Sequence, residues 1–113
     1  MREIKVNEKT IGVKASSLTL FFYKKEFKSD LIGDIAKLQK DGEITFDSVI
    51  FLQIAWALNK SYSYPNEIKP FEPWMIDLGC VSINFYEQVM KEAMNLLLDK
   101  RPMGKTKKNV KKK

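Results

Sequence analysis

With 113 residues, no histidine and a single cysteine, the chain has the length of one small domain and lacks the commonest general base, the means to form an internal disulfide and any cysteine-type zinc site. The lone thiol of Cys80 suits a reducing compartment. The N-terminal MREIKVNEKT carries charges where a secretory signal needs an apolar run, and no stretch reaches the roughly 18 apolar residues of a membrane span. The net charge of +6 is concentrated at one end, because residues 100–113, KRPMGKTKKNVKKK, hold eight of the 20 basic residues and no acid. Residues 1–99 keep 12 basic against 14 acidic residues and are slightly negative. The chain therefore divides into a folded domain, 1–99, and a lysine-rich tail, 100–113, whose one branched aliphatic residue, Val110, implies disorder.

In chain order, Glu3 to Val6 and Thr10 to Lys14 alternate charged and apolar residues around an Asn7-Glu8-Lys9 turn, which predicts a β-hairpin. Ser16 or Ser17 can cap a first helix running to about Lys28, with Leu18, Phe21 and Phe22 facing inward. Ser29-Asp30 offers a second cap, and Leu31, Ile32, Ile35 and Leu38 then form one buried face that Asp41-Gly42 ends. A third helix starts at Thr45 or Asp47; from Val49 to Leu58 only Gln53 is polar, so this helix is either central or covered by a partner, and a domain this small can hardly surround it.

Ser61 to Pro70 reads as a polar, proline-containing loop holding Tyr62 and Tyr64. Pro73 suits the first position of a short helix through Trp74 and Ile76, with Gly79 at its C-terminal end. Asn84 and Glu87 have capping-box spacing for a last helix with Phe85, Val89, Ala93 and Leu96 on one side; Lys100 and Arg101 complement its negative end and Pro102 stops it. The expected fold is α+β and predominantly helical: an N-terminal hairpin followed by four to five helices in one domain.

Three short segments, FYKKEFxxDL at Phe22 to Leu31, IAWALNK at Ile54 to Lys60 and FEPW at Phe71 to Trp74, resemble in order and spacing the tail assembly chaperones of long-tailed bacteriophages and prophages of Gram-positive bacteria. The resemblance covers about residues 4–99. It implies a non-catalytic protein of the bacterial host cytoplasm, absent from the finished virion, that binds the tape measure protein and keeps it soluble during tail morphogenesis. It further implies that a frameshifted longer form, where one is made, recruits tail tube protein.

The physical reading of the residues is compatible with that role. A stripe of leucine-like surface on an extended helix contributes about 25 cal/mol per Å² when buried, and a partner can shield it reversibly by helix-in-groove packing. Several weak copies hold a long client better than one tight copy, so self-association is expected. The residues singled out for protein contact are Tyr62, Tyr64, Phe71, Trp74 and Met75. For Trp56, Met75, Met90 and Met94 core packing is the leading reading and contact the competing one, Trp74 divides evenly between the two, and Lys24-Lys25-Glu26 reads as a solvated helix face. Lys105, Lys107, Lys108, Lys111, Lys112 and Lys113 of the tail are the anion-contact candidates. They carry the alternative function, a small nucleic-acid-binding or regulatory phage protein. Glu72 and Asp77 do not read as an acid/base couple, and no catalytic, cofactor or metal residues are assigned.

Overall fold

The computed structural model describes residues 1–40, 43–44 and 47–97. The chain opens with an antiparallel hairpin of β1 (Arg2–Val6) and β2 (Lys9–Val13), paired from Arg2 with Val13 to Val6 with Lys9. Asn7, a residue that tolerates the left-handed region, takes φ 57° in the two-residue turn. Ile4, Val6 and Val13 are buried, whereas Glu3 and Lys5 are exposed, as a sheet with one wet face requires.

Helix α1 (Ser17–Phe27) is capped by Ser16, whose Oγ accepts from the Leu18 amide at 3.2 Å while the Ser16 amide donates to Thr19 Oγ1 at 3.1 Å. Its buried side is Thr19, Phe22 and Tyr23, and Phe21, expected inside, is 58% exposed. The reason is that Thr19 occupies an inward position: its hydroxyl satisfies the Lys14 carbonyl at 3.0 Å, which rotates Phe21 to the surface. Helix α2 (Leu31–Lys37) is capped by Asp30, which accepts from the Gly33 amide at 2.7 Å. After Leu38 the chain forms a short antiparallel ladder of β3 (Gln39–Lys40) and β4 (Glu43–Ile44) that the helical reading did not foresee. The proposed helix stop at Asp41-Gly42 and the Thr45 cap lie outside the described residues.

Helix α3 (Ser48–Ser63) starts at Asp47, whose Oδ1 accepts from the Val49 and Ile50 amides at 3.1 Å each. It is the axis of the domain, packed against α1, β2, α5 (Ile83–Ala93) and α4 (Phe71–Leu78). Ile54, Ala55, Ala57 and Leu58 have no exposed surface, and Phe51 and Trp56 are nearly sealed. The expectation that a small domain could not surround this helix is thus corrected along Phe51–Leu58, because hairpin and helices approach it from several sides; Val49 alone of its large apolar residues is mostly exposed. Gln53 is only partly buried, with its Oε1 3.0 Å from the Tyr23 hydroxyl; that hydroxyl's one proton can serve the Asp34 carboxylate at 2.7 Å, to which Ser29 Oγ also donates. Burial, then the Asp34 carboxylate, raises the Tyr23 phenol well above its ordinary value, so it stays a neutral donor.

Three further boundaries differ from expectation. Helix α3 runs to Ser63, so Tyr62 is helical rather than in the loop. Helix α4 begins at Phe71, with Pro70 outside it and Pro73 in its first turn; Pro73 keeps its place because amides there have no intrahelical acceptor. The cap of α5 is Ser82, whose Oγ accepts from the Phe85 amide at 3.4 Å, and Asn84 lies within the helix. A 3₁₀ turn, Met94–Leu96, follows, and Lys100, Arg101 and Pro102 lie outside the described residues. Hairpin and last helix are joined at Glu92, 1% exposed, whose carboxylate accepts from the Ala15 amide at 2.9 Å and Arg2 Nε at 3.2 Å and lies 3.0 Å from the Met1 ammonium. Among the described residues no helix is long and apolar enough to cross a membrane.

Gly12 exposes one constraint of this packing. A Cβ at that position would fall within the ring of Tyr62, whose hydroxyl donates to Glu3 Oε2 at 2.6 Å. Gly12→Ala should therefore destabilise the fold by about 1–2 kcal/mol even though alanine is the better strand former. Adding Tyr62→Ser should recover most of that loss in urea unfolding, since the two positions share one space.

Candidate functional site

The segments FYKKEF, IAWALNK and FEPW meet in space, and the aromatic residues they supply form one connected group. Phe27 of α1 stands edge-on to Trp56 of α3 at 5.5 Å and to Phe71 of α4 at 4.9 Å, and Phe71 stacks with Trp74 at 6.4 Å. The polar ends of these rings are satisfied internally. Trp56 Nε1 donates to the Lys69 carbonyl at 2.9 Å and Trp74 Nε1 to Asn59 Oδ1 at 3.0 Å; Asn59 Nδ2 donates in turn to the Gly12 carbonyl at 2.8 Å. Trp56 and Trp74, at 3% and 7% exposure, thus anchor the core, and their hydrogen bonds hold the 64–70 loop and α4 against α3.

Between α1, the C-terminal half of α3 and that loop lies an open cleft of about 310 Å³. Phe22, Trp56 and Ile68 supply apolar wall, Tyr64 and Pro70 stand on the loop side, and Lys60 enters from α3. Tyr64 is 58% exposed, with its ring centroid 6.0 Å from that of Phe22. The Lys60 ammonium lies over the rings of Phe22, at 5.0 Å, and Trp56, at 5.8 Å, and pairs with Glu67 at 3.3 Å. On the neighbouring turn of α1, Lys25 Nζ stands 5.9 Å from the ring of exposed Phe21, so two cations rest on aromatic faces beside this opening.

The five residues chosen from sequence do not form one patch. Tyr64 lines the cleft, Phe71 and Trp74 lie in the aromatic group behind it, Met75 packs half-buried against the core, and Tyr62 turns toward the hairpin. Trp74 also lines a smaller depression of about 240 Å³ with Lys9, Lys69 and Asp77. There the Lys69 ammonium, hydrogen-bonded to Asp77, holds that carboxyl below its ordinary value. Glu72 is exposed on α4 and takes no part. The six tail lysines, Lys105 to Lys113, lie outside the described residues.

Sequence reasoning missed Lys60, Ile68 and exposed Phe21, as well as a third depression of about 200 Å³ lined by Phe51, Ile83, Tyr86, Glu87 and Met90. Lys60 was within reach: it follows Trp56 by four residues, and a lysine one turn along from a tryptophan can lie over its ring. Among the described residues no group of three or more His, Cys, Asp or Glu side chains is placed to hold a metal ion. Comparison with known protein families, with curated proteins and with solved structures gave no match.

Proposed function

We propose that this protein is a phage tail assembly chaperone that covers apolar helical segments of the tape measure protein and acts by binding rather than by catalysis. The single observation that carries the reading is the cleft between α1 and the 64–70 loop, an opening walled by aromatic rings and flanked by the exposed Phe21 and Tyr64. Half of its ten lining residues belong to the segments on which the resemblance to that family rests: Phe22, Lys25 and Glu26 from the first, Trp56 and Lys60 from the second. Exposed aromatic side chains beside a partly apolar opening suit a surface for helical protein segments. Tail tube protein, recruited through a longer form, and additional copies of this chain complete the proposed set of partners, and the host cytoplasm is the proposed place of action.

Co-expression with the tape measure protein of the same phage or prophage tests the reading. The tape measure protein is expected to be insoluble alone and to co-purify in soluble form with this chain. If it stays in the pellet in the presence of an excess of folded chain, the reading is wrong.

A further inference from the structure

Four charged side chains stand on the cleft, and they are not equivalent. Lys25 and Glu26 are exposed on α1, and Glu26 Oε2 accepts from the Phe71 amide at 3.4 Å. Lys60 is different: its side chain is only 20% exposed, its ammonium faces two aromatic rings, and its single carboxylate neighbour among the described residues is Glu67, which is 89% exposed. An ammonium has three N–H donors, and one that lies over aromatic rings with a single, solvated carboxylate partner keeps donors free for an incoming anion. Glu67 is a weak competitor, because a solvated carboxylate on a surface loop loses both hydration and side-chain freedom to hold the pair.

The volume limits what can enter. About 310 Å³ is at the bottom of the range for small-molecule sites and suits one or two anchoring side chains. An apolar wall with one under-satisfied cation asks for a large apolar side chain and a carboxylate close together. On a helix, positions three or four apart are about 5–6 Å apart and lie on the same face.

We infer that the cleft takes an amphipathic helical segment of another polypeptide carrying a leucine or aromatic anchor one turn from an aspartate or glutamate, the anchor lying against Phe22 and Trp56 and the carboxylate pairing with Lys60. This rests on the client-binding role proposed above and adds to it the residues and the acidic character of the segment recognised.

A double-substitution experiment on the full chain tests the inference. Overlapping synthetic segments of about 40 residues from the tape measure protein are titrated against the wild-type chain, and in the tightest binder each carboxylate is replaced in turn by its amide. Lys60→Met and Tyr64→Ser should each weaken binding about tenfold, whereas Ile76→Ser, at an exposed apolar position on α4, should change it less than about twofold. One carboxylate-to-amide change in the segment should weaken binding to the wild type about tenfold and to Lys60→Met hardly at all. Unchanged circular dichroism and unfolding midpoints establish that the variants are folded, and Tyr64→Ser, at a largely exposed site, keeps the test open if Lys60→Met is impaired. Full-strength binding by both cleft variants, or equal losses from the amide changes in both backgrounds, overturns the inference while leaving the chaperone role standing. A change in oligomeric state on substitution of Lys60 or Tyr64, with segment binding intact, overturns it in favour of a contact between copies. Failure of the wild-type chain to bind any segment removes the functional reading itself.

Discussion

Replacing Glu92 with alanine is expected to lower the free energy of unfolding by about 3–4 kcal/mol, a large share of the 5–15 kcal/mol that holds a typical domain together. Glu92 is a buried carboxylate that joins α5 to Arg2 of β1 and to the Ala15 amide before α1. Its loss leaves a part-buried amide without an acceptor and a guanidinium whose remaining side-chain partner among the described residues is Gln88 Oε1 at 2.8 Å. Glu92→Gln keeps the shape and one acceptor oxygen and should cost about half as much.

The same group sets an acid limit. Burial pushes the Glu92 carboxyl up, but the Ala15 amide, the Met1 ammonium and the Arg2 guanidinium together outweigh burial and hold it below its ordinary value of 4.5. A depressed folded-state value means that the contribution is fully present above about pH 5 and is lost as pH falls through the folded value. Unfolding midpoints measured between pH 7 and about 3 should decline more steeply for the wild type than for Glu92→Gln. Parallel curves would show that another carboxylate governs the acid side.

Trp56→Ala should cost about 3–5 kcal/mol, the usual range for emptying a buried tryptophan site. The indole touches Phe27 and lies under Lys60, and its N–H holds the Lys69 carbonyl, so truncation also frees the loop that closes the cleft. Trp56→Phe should retain most of the packing and lose about 1 kcal/mol through the missing hydrogen bond. Urea unfolding measures both. A loss below about 1 kcal/mol for Trp56→Ala would mean that the ring is peripheral and that the competing contact reading of Trp56 is correct.

The pair of substitutions also shows what could be read from the sequence. Trp56 stands in a run with one polar residue, so a helix apolar on nearly every side was legible, but whether the domain or a partner covers it was not: that depends on the hairpin and helices that close around it. The hairpin and the capped starts of α1, α2 and α3 were legible for the same local reason: Ser16, Asp30 and Asp47 each precede a periodic apolar pattern. Local patterns were ambiguous where two capping residues lie close together, as at Ser82 and Asn84, and where a buried hydroxyl replaces an apolar residue, as at Thr19. Glu92 was invisible because its partners are about 77 and 90 positions away. The cleft was only partly legible, since its walls come from residues 22–26, 56–60 and 64–70, and their meeting depends on how α1 docks on α3. Tyr64 was picked for its loop position, whereas Lys60 gains its character only from the rings that fold over it.

The chain has two tryptophans, one on the wall of the cleft and one bonded to Asn59 beside the hairpin, so two indole N–H resonances in a nitrogen–proton correlation spectrum report on two separate places. As a tape measure segment is added to the labelled full chain, the Trp56 indole and the backbone amides of Lys60 and Tyr64 should move together and saturate, with the Trp74 indole nearly still. A spectrum that stays unchanged at millimolar segment, or that shifts only around Ile83 and Met90, would contradict the account.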